Sequence, residues 1–257
     1  MLKALIFDVD GTLAETEELH RQAFNEAFAE CGLDWHWDRA LYKRLLRVAG
    51  GKERMRAYQD SLAPGSSPLA PDAIAELHRR KTERYGRLVA EGGLALRTGV
   101  ARLIEDARGS GLVLAVATTT SRENVESLCL ACWSRRASDL FSVIVAGDDV
   151  AAKKPAADAY ELALAKLSLG PEACVAFEDS RNGMLAALGA GIGVHVVPSL
   201  YSQDDDFREA DHLWLAMPGL LPVMAEDAFR RETPPGRQGA PAGARDEETR
   251  GSPGTSR

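Results

Sequence analysis

The stretch that decides the fold reads Ala4-Leu-Ile-Phe7-Asp8-Val-Asp10-Gly11-Thr-Leu13. Its four apolar residues are typical of a strand buried inside a parallel sheet. Two carboxylates, Asp8 and Asp10, follow where the apolar run ends, and Gly11 marks a sharp exit from the strand. Ligands bind outside the carboxyl ends of strands in open α/β sheets, so we expect both carboxylates in such a crevice. Taken alone, the pattern also fits a solvated junction between a strand and a turn.

The rest of the core is predicted as strands that alternate with helices. Further strands are predicted at 112–117, 142–146, 174–177 and 194–197, with a short sixth at 213–215. Helices are predicted at 100–108, after Ser121 as far as about Cys132, at 158–167 and at 183–190. Parallel strands joined by helices of this length form right-handed crossovers. The predicted fold class is therefore α/β, with a doubly wound, Rossmann-like parallel sheet.

Between residues 15 and 93 the sequence predicts helices only. The first helix runs from Glu17 to about Cys31, with Thr16 placed to cap it and Gly32 to end it. Three more helices are predicted at 37–48, 52–62 and 73–90, with a loop at 64–68. We therefore predict a helical cap at 15–93, inserted into a core that comprises 1–14 and 94–229.

The C-terminal residues 230–257 have a different composition. They contain nine Gly or Pro and no Leu, Ile, Val or aromatic residue. Such a segment has no apolar surface to bury, so we predict a disordered tail.

Composition excludes several classes of function. The chain has 257 residues, of which 45% are hydrophobic and 27% charged, as in globular proteins of one large or two small domains. Its net charge of −7 argues against a general nucleic-acid binder, which would present a basic face. No segment approaches the roughly 18 consecutive apolar residues of a membrane span, and no leader pattern begins the chain. We expect a cytoplasmic protein with no nucleic-acid, membrane or obligate protein partner.

Other strand ends supply side chains that would complete a site around the Asp pair. Thr118 follows the second predicted strand, Lys154 lies beyond the third, and Glu178-Asp179 ends the fourth. Carboxylates at this density need a cation, and Mg²⁺ prefers carboxylate, water and phosphate oxygens. An acidic pair at the start of a helix also interacts favourably with the helix dipole, which is the alternative interpretation of Glu178-Asp179. The combined pattern favours a metal site.

These motifs together resemble those of the haloacid dehalogenase-like hydrolases, which hydrolyse phosphate esters. The resemblance implies that Asp8 is the nucleophile, which becomes an aspartyl-phosphate, and that Asp10 is the general acid and base. It implies Mg²⁺ as cofactor, held by Asp8, Asp10, Glu178 and Asp179. It also implies a phosphate-binding group that is made of Thr118, Thr119 and Lys154.

Sequence segments of the predicted cap narrow the resemblance to one group of these hydrolases. Three of its segments, Glu15-Thr-Glu-Glu-Leu-His20, Trp35-His-Trp-Asp38 and Gly50-Gly-Lys-Glu-Arg54, are similar to those of the CbbY proteins, and the similarity extends over residues 1 to about 215. CbbY proteins are found beside Calvin-cycle genes. They hydrolyse xylulose 1,5-bisphosphate, a Rubisco inhibitor, to xylulose 5-phosphate. The resemblance implies this sugar bisphosphate as the substrate, with its second phosphate under the cap. The expected substrate-binding residues are Glu17, His20, Gly50, Gly51, Lys52, Arg54, Lys81, Thr120, Ser121 and Asn124.

Three other functions stay open on the sequence. A hexose-phosphate mutase similar to β-phosphoglucomutase would return the phosphoryl group to the sugar, and the sequence does not show whether water or sugar attacks phosphorylated Asp8. A phosphoglycolate phosphatase acts on a small substrate, which would leave the positively charged cap residues Lys52 and Arg54 without a partner. A phospho-accepting signalling domain also places carboxylates and Mg²⁺ at strand ends, but it accepts phosphate on a later strand and needs no cap.

Overall fold

The computed structural model describes residues 1–62 and 68–232 and contains a six-stranded sheet. The strands are β1 (Ala4–Phe7), β2 (Val113–Ala117), β3 (Val143–Val145), β4 (Cys174–Glu178), β5 (Gly193–Val196) and β6 (His212–Leu213). They are all parallel, in the order β3-β2-β1-β4-β5-β6. This is the strand order of a doubly wound, Rossmann-like sheet, so the predicted fold class is confirmed.

Helices connect and cover the strands. They are α1 (Glu17–Glu30), α2 (Arg39–Leu45), α3 (Gly51–Asp60), α4 (Pro71–Ala90), α5 (Val100–Gly109), α6 (Arg122–Trp133), α7 (Ala137–Leu140), α8 (Asp158–Leu167), α9 (Arg181–Gly189) and α10 (Leu220–Glu232). The predicted helices are present, with ends shifted by a few residues. Among the described residues, no helix combines the length and apolar character that crossing a bilayer requires.

Two helices, α7 and α10, are absent from the sequence prediction. Helix α10 has Pro222 in its first turn, where proline is tolerated, and its residues Leu220 and Val223 are buried in the core. The helix also takes in residues 230–232, which the prediction assigns to the tail. The rest of that tail, 233–257, and residues 64–67 of the predicted loop lie outside the described residues.

Strand β1 is buried on both faces, as its apolar run predicts. Leu5 and Phe7 belong to the core cluster on one side of the sheet, while Ala4 and Ile6 belong to the cluster on the other. The Phe7 ring also stacks on Phe177 of β4 at 5.0 Å. Because helices cover both faces of the sheet, polar side chains at the carboxyl ends of β1, β2 and β4 are left at one edge.

The helices α1 to α4 follow β1 and have an apolar cluster of their own. Phe24 of α1 packs against Trp37 at 4.7 Å between ring centroids, and Tyr42 of α2 and Met55 of α3 complete its centre. The chain leaves the sheet through residues 8–16 and returns to it through 91–99. We refer to α1–α4 as the cap and to the sheet with its covering helices as the core.

Candidate active site

A cavity of about 700 Å³ lies between the cap and the carboxyl ends of the strands. Most of the predicted site residues line it, namely Asp8, Asp10, Glu17, His20, Gly50, Gly51, Arg54, Lys81, Thr118, Thr119, Thr120, Ser121, Asn124, Lys154 and Asp179. Lys52 and Glu178 are the predicted residues that do not line it. The topology explains the convergence, because the strand ends meet at one edge and the cap helices close over them.

Gly11 allows the two neighbouring strand ends to approach each other. Its backbone has a φ of +82°, a conformation that L side chains rarely adopt. A Cβ at this position would also overlap Oδ2 of Asp179. A side chain at residue 11 would therefore displace Asp179, and glycine keeps that carboxylate close to Asp8.

Lys154 is the cation at the centre of the site. Its buried ammonium donates to Oδ1 of Asp8 at 2.7 Å and to Oε1 of Glu178 at 2.5 Å. The Tyr160 hydroxyl of α8 donates to the same Glu178 oxygen at 2.7 Å, and Lys154 lies over the Tyr160 ring. Thr12 donates to the other oxygen of Asp8 at 3.3 Å. Glu178 is thus held behind the cavity wall by Lys154 and Tyr160.

Three buried carboxylates lie together here, and Lys154 pairs with two of them, Asp8 and Glu178. Ligand oxygens of Asp8, Glu178 and Asp179 all lie within 4.8 Å of one another. Burial raises the pKa of Asp8 to about 7. The charge of Lys154 acts to lower this pKa, and the charge of Glu178 acts to raise it. Burial, followed by the charges of Asp8 and Glu178, raises the pKa of Asp179 well above its usual range. If all three were ionised, the cluster would carry more negative charge than Lys154 balances, and the raised pKa values reflect this.

This cluster suits a divalent cation. Hard cations bind carboxylate oxygens, and a positive ion would offset the burial and the mutual repulsion that raise these pKa values. The Oε2 atom of Glu178 is buried and has no hydrogen-bond partner, and it lies against Gly183, where a Cβ would overlap it. An orphaned carboxylate oxygen beside two other buried carboxylates fits a site that holds a metal ion.

Asp10 faces the cap and has different neighbours. Its Oδ1 atom accepts from the Thr16 hydroxyl at 2.6 Å and contacts Nε2 of His20 at 2.9 Å. The other ring nitrogen of His20 lies 2.6 Å from the Lys81 ammonium, and the ring stacks on Tyr85. The expectation that Thr16 caps α1 is wrong, because its hydroxyl bonds to Asp10 rather than to the helix N-terminus.

The surroundings of Asp10 shift its pKa in the opposite direction from that of Asp8. Burial acts to raise the pKa of Asp10, but His20 and the hydrogen bonds from His20 and Thr16 hold it below its usual range. Burial also lowers the pKa of Lys81 to about 7, although Asp10 acts to raise it. Asp10 is therefore an ionised carboxylate in this arrangement, next to a chain of two basic side chains.

The end of β2 provides hydrogen-bond donors and acceptors. Thr118 is buried, and its hydroxyl accepts from the Thr120 backbone N–H at 3.3 Å. Ser121 caps α6, because its hydroxyl accepts from the backbone N–H of Asn124. Asn124 donates to the Thr120 hydroxyl at 2.9 Å, and its own Oδ1 is buried without a hydrogen-bond partner. Helix N-termini of this kind favour anions.

The expectation that Lys52 and Arg54 together face a distal group is wrong. Residues two apart on a helix point in nearly opposite directions, so both cannot face the cavity. Lys52 turns away from it and forms an exposed ion pair at 2.9 Å with Asp148 of the core. Arg54 does line the cavity, where it donates to the Leu45 and Val48 carbonyls at the end of α2.

Glu17 and Arg54 meet at a buried tyrosine. The Tyr42 hydroxyl donates to Oε2 of Glu17 at 2.7 Å and accepts from Arg54 at 3.2 Å. Tyr42 is fully buried, and Arg54 also lies over its ring. This contact joins α1, α2 and α3 on the side of the cap that covers the strand ends.

Several lining residues were missed by the sequence analysis. The polar ones are Lys43 and Arg44 of α2, Arg47 just after that helix, His78 of α4, the residues 180–182, and the loop residues Ser199, Tyr201, Ser202, Asp204, Asp205 and Asp206. The three residues at 43, 44 and 47 recur at helical spacing, which could have indicated one common face. The residues after β5 carry no pattern that indicates a site.

Comparison with known proteins supports the family that the sequence motifs indicate. The family model of haloacid dehalogenase-like hydrolases matches residues 2–191. Protein CbbY of Rhodobacter capsulatus is 56% identical over 210 residues, which are 82% of this chain and 91% of that protein. Protein CbbY of Cupriavidus necator is 48% identical over 211 residues, which are 81% of this chain and 83% of that protein.

Solved structures agree with these matches. CbbY from Rhodobacter sphaeroides in complex with phosphate has a TM-score of 0.82 at 52% identity, covering 86% of this chain and 98% of that one. An Asp-to-Asn variant of that CbbY, in complex with xylulose 1,5-bisphosphate, has a TM-score of 0.82 at 51% identity with the same coverage. These matches favour an enzyme over a phospho-accepting signalling domain. The chain belongs to the haloacid dehalogenase-like hydrolases and, within them, to the CbbY proteins, and it is a phosphatase.

Proposed function

We propose that this chain is a Mg²⁺-dependent phosphatase that hydrolyses xylulose 1,5-bisphosphate to xylulose 5-phosphate through an aspartyl-phosphate on Asp8. The observation that carries the proposal is one cavity that joins the Asp8–Lys154 pair to the cap residue Arg54. A CbbY protein that is 51% identical is known in complex with this bisphosphate, which supports the choice of substrate.

In the first half of the reaction, Asp8 attacks the phosphorus atom and the bond from phosphorus to the sugar oxygen breaks. Asp10 gives its proton to that oxygen as the alcohol departs. Asp10 is ionised before substrate binds, so it must gain this proton with the substrate. An incoming phosphate brings negative charge next to Asp10 and raises its pKa, which makes this protonation possible.

In the second half, water attacks the phosphorus atom of phospho-Asp8, and the bond from phosphorus to the Asp8 oxygen breaks. Asp10, ionised again, takes a proton from that water. Thr16 and His20 keep the Asp10 carboxylate oriented through both halves. The low pKa that these contacts produce in the free protein suits this step, which needs a base.

Groups around Asp8 stabilise the transferring phosphoryl. Lys154 lies within hydrogen-bonding distance of Asp8 and would neutralise both the carboxylate and the phosphate. Thr118 and the backbone N–H of Thr119 provide hydrogen-bond donors at the end of β2. Asp8, Asp179 and Glu178, with a backbone oxygen of Asp10, would hold Mg²⁺. The bound ion supplies positive charge that lets a dianionic phosphate approach this acidic site.

The sugar and the second phosphate would occupy the cap side of the cavity. Glu17 is placed for sugar hydroxyls, and His20, whose ring nitrogens contact Asp10 and Lys81, lines the same space. Arg54 supplies positive charge next to Gly50 and Gly51 at the start of α3. Thr120, Ser121 and Asn124 line the same space from the core. Contacts to a remote phosphate can supply binding energy that orients the reacting one.

The test is phosphate release from a panel of substrates, with Mg²⁺ and with excess chelator. We expect xylulose 1,5-bisphosphate to exceed xylulose 5-phosphate in kcat/KM by about 100-fold, or about 3 kcal/mol. Charge-assisted contacts are worth roughly 1.5–3 kcal/mol each, so contacts of the second phosphate with Arg54 could account for most of that difference. Equal rates on 2-phosphoglycolate and on the bisphosphate would contradict the two-phosphate site. Isomerisation of a hexose phosphate without release of phosphate would instead identify a mutase.

A further inference from the structure

The loop that follows β5, residues 197–202, is held at its start by both chain segments that connect the core and the cap. Arg97 lies where the chain returns from the cap and donates to the carbonyls of Val197 and Pro198 at 2.7 Å each, as well as to Gly11. Glu15 lies where the chain leaves for the cap, pairs with Arg97 at 3.3 Å and accepts from the Leu200 N–H. The first half of this loop is therefore anchored.

Ser202 connects the loop to the proposed metal site. Its buried hydroxyl donates to the Asp179 carbonyl at 2.6 Å and accepts from the Ser199 N–H at 2.9 Å. The same oxygen lies 3.4 Å from Oδ2 of Asp179. Ser202 thus holds the backbone and touches the carboxylate of a residue that would bind the ion.

Tyr201, the neighbouring residue, contacts the cap instead. Its hydroxyl donates to Oε2 of Glu18 on α1 at 2.7 Å. Its ring meets the Tyr42 ring of α2 edge to face at 5.7 Å between centroids. Tyr201 is also packed against the apolar cluster of the cap, although it belongs to the core.

We infer that Tyr201 is a positioning residue that couples the position of the cap to the geometry of Asp179, with Ser202 as the link. This inference rests on the proposed function, in which Asp179 holds Mg²⁺. One peptide bond joins the cap contact to the Asp179 contact, and Arg97 fixes the loop behind them. A cap that moves off Tyr201 therefore releases Ser202 and the backbone of Asp179.

Coupling of this kind is reciprocal. If docking of the cap on Tyr201 improves the metal site, then bound metal must favour the docked cap by the same factor. A tyrosine that only fills space in the cap interface would leave metal affinity unchanged. Affinity for the ion therefore separates a positioning role from a packing role.

The experiment measures Mn²⁺ binding to the full chain by electron paramagnetic resonance, with no substrate present. The variants are Tyr201→Phe, Ser202→Ala and both together. Tyr58→Phe is the matched control, because it removes a phenol from the cap residue that packs on Trp35 and Trp37. Each substitution removes one hydroxyl and keeps the charge of the chain.

We expect Ser202→Ala to weaken Mn²⁺ binding about tenfold or more, as is usual for residues that orient metal ligands. Tyr201→Phe should weaken it about fivefold, within the usual range of coupling between sites. Tyr58→Phe should bind like the unmodified chain. In the Ser202→Ala background, Tyr201→Phe should have almost no further effect, because the link is already broken.

Two results would overturn the coupling while leaving the phosphatase proposal intact. One is a Tyr201→Phe variant that binds Mn²⁺ as tightly as Tyr58→Phe. The other is an undiminished effect of Tyr201→Phe in the Ser202→Ala background, which would exclude Ser202 as the link. Failure of the unmodified chain to bind Mn²⁺ would instead refute the metal site and, with it, both proposals.

Discussion

Replacing Lys154 with methionine should destabilise the metal-free protein strongly. Methionine keeps most of the length and apolar surface of the side chain but removes the charge that Asp8 and Glu178 share. The Lys154 side chain is 4% exposed and the Glu178 side chain 1%, so water cannot replace the lost ammonium. The substitution leaves buried carboxylates without their cation.

The structure allows an estimate of the size and pH dependence of this loss. Removal of one partner from a buried ion pair costs about 3–5 kcal/mol. At roughly 2–4 °C per kcal/mol for a chain of this size, the melting temperature should fall by about 6–20 °C. Burial already raises the pKa of Asp8 to about 7 in the folded state, and loss of Lys154 would raise it further.

The sign of the pH effect follows from that shift. An acid whose pKa is higher in the folded state than in the unfolded state binds its proton more tightly when folded. Its contribution to the free energy of unfolding therefore falls as pH rises from the unfolded pKa towards the folded one. Since Lys154→Met raises the folded pKa of Asp8, the variant should lose more stability at pH 8 than at pH 5.

The assay is thermal unfolding of the metal-free protein at both pH values. Lys166→Met provides the control, because this lysine is exposed on α8, away from the site. Mg²⁺ should restore more of the melting temperature in Lys154→Met than in the unmodified chain, because the ion replaces part of the missing charge. A loss below about 1 kcal/mol, or a larger loss at pH 5 than at pH 8, would refute the reasoning.

Three further predictions concern the reaction. Asp8→Asn should abolish phosphate release while the protein stays folded, and the loss should exceed the roughly 10²–10⁴-fold effect of removing only an acid or base; one tenth of normal turnover would contradict it. Asp179→Ala should raise the Mg²⁺ concentration needed for half-maximal activity, which a metal titration measures. Arg54→Ala should reduce the preference for bisphosphate over monophosphate about tenfold in kcat/KM, since it lines the cavity. Lys52→Ala, which breaks an exposed ion pair, should change that preference less than about threefold.

The sequence predicted the sheet well because its signals are local. Short apolar runs that end in polar residues identify buried parallel strands, and β1, with its four apolar residues, is the clearest example. Helix α10 was not predicted because Pro222 interrupts its helical sequence pattern, although proline is acceptable in the first turn of a helix. Helix α7 has four residues, which is too short for a periodic pattern to show.

The site was predictable where topology alone decides it. Asp8, Thr118 and Asp179 follow strands β1, β2 and β4, so a parallel sheet brings them together. Lys154, which bonds to Asp8 across 146 residues, was expected at the site from its place after the third strand and from the family resemblance. The bond from Tyr160 to Glu178 was not predictable, because no motif indicates it.

The same limit applies to the two carboxylates of the D-x-D motif, which are equivalent in the sequence and different in the structure. Asp8 lies among other carboxylates, and its pKa is raised, whereas the pKa of Asp10 is lowered by His20 and Thr16. Neighbours that push two pKa values apart are what assign different roles to two similar groups. Both His20 and Lys81 belong to cap helices, so the state of Asp10 depends on where the cap lies. A cap displaced from the core would remove these neighbours and let the pKa of Asp10 rise towards that of an ordinary carboxyl, which would link the protonation of the proposed acid and base to closure of the cavity.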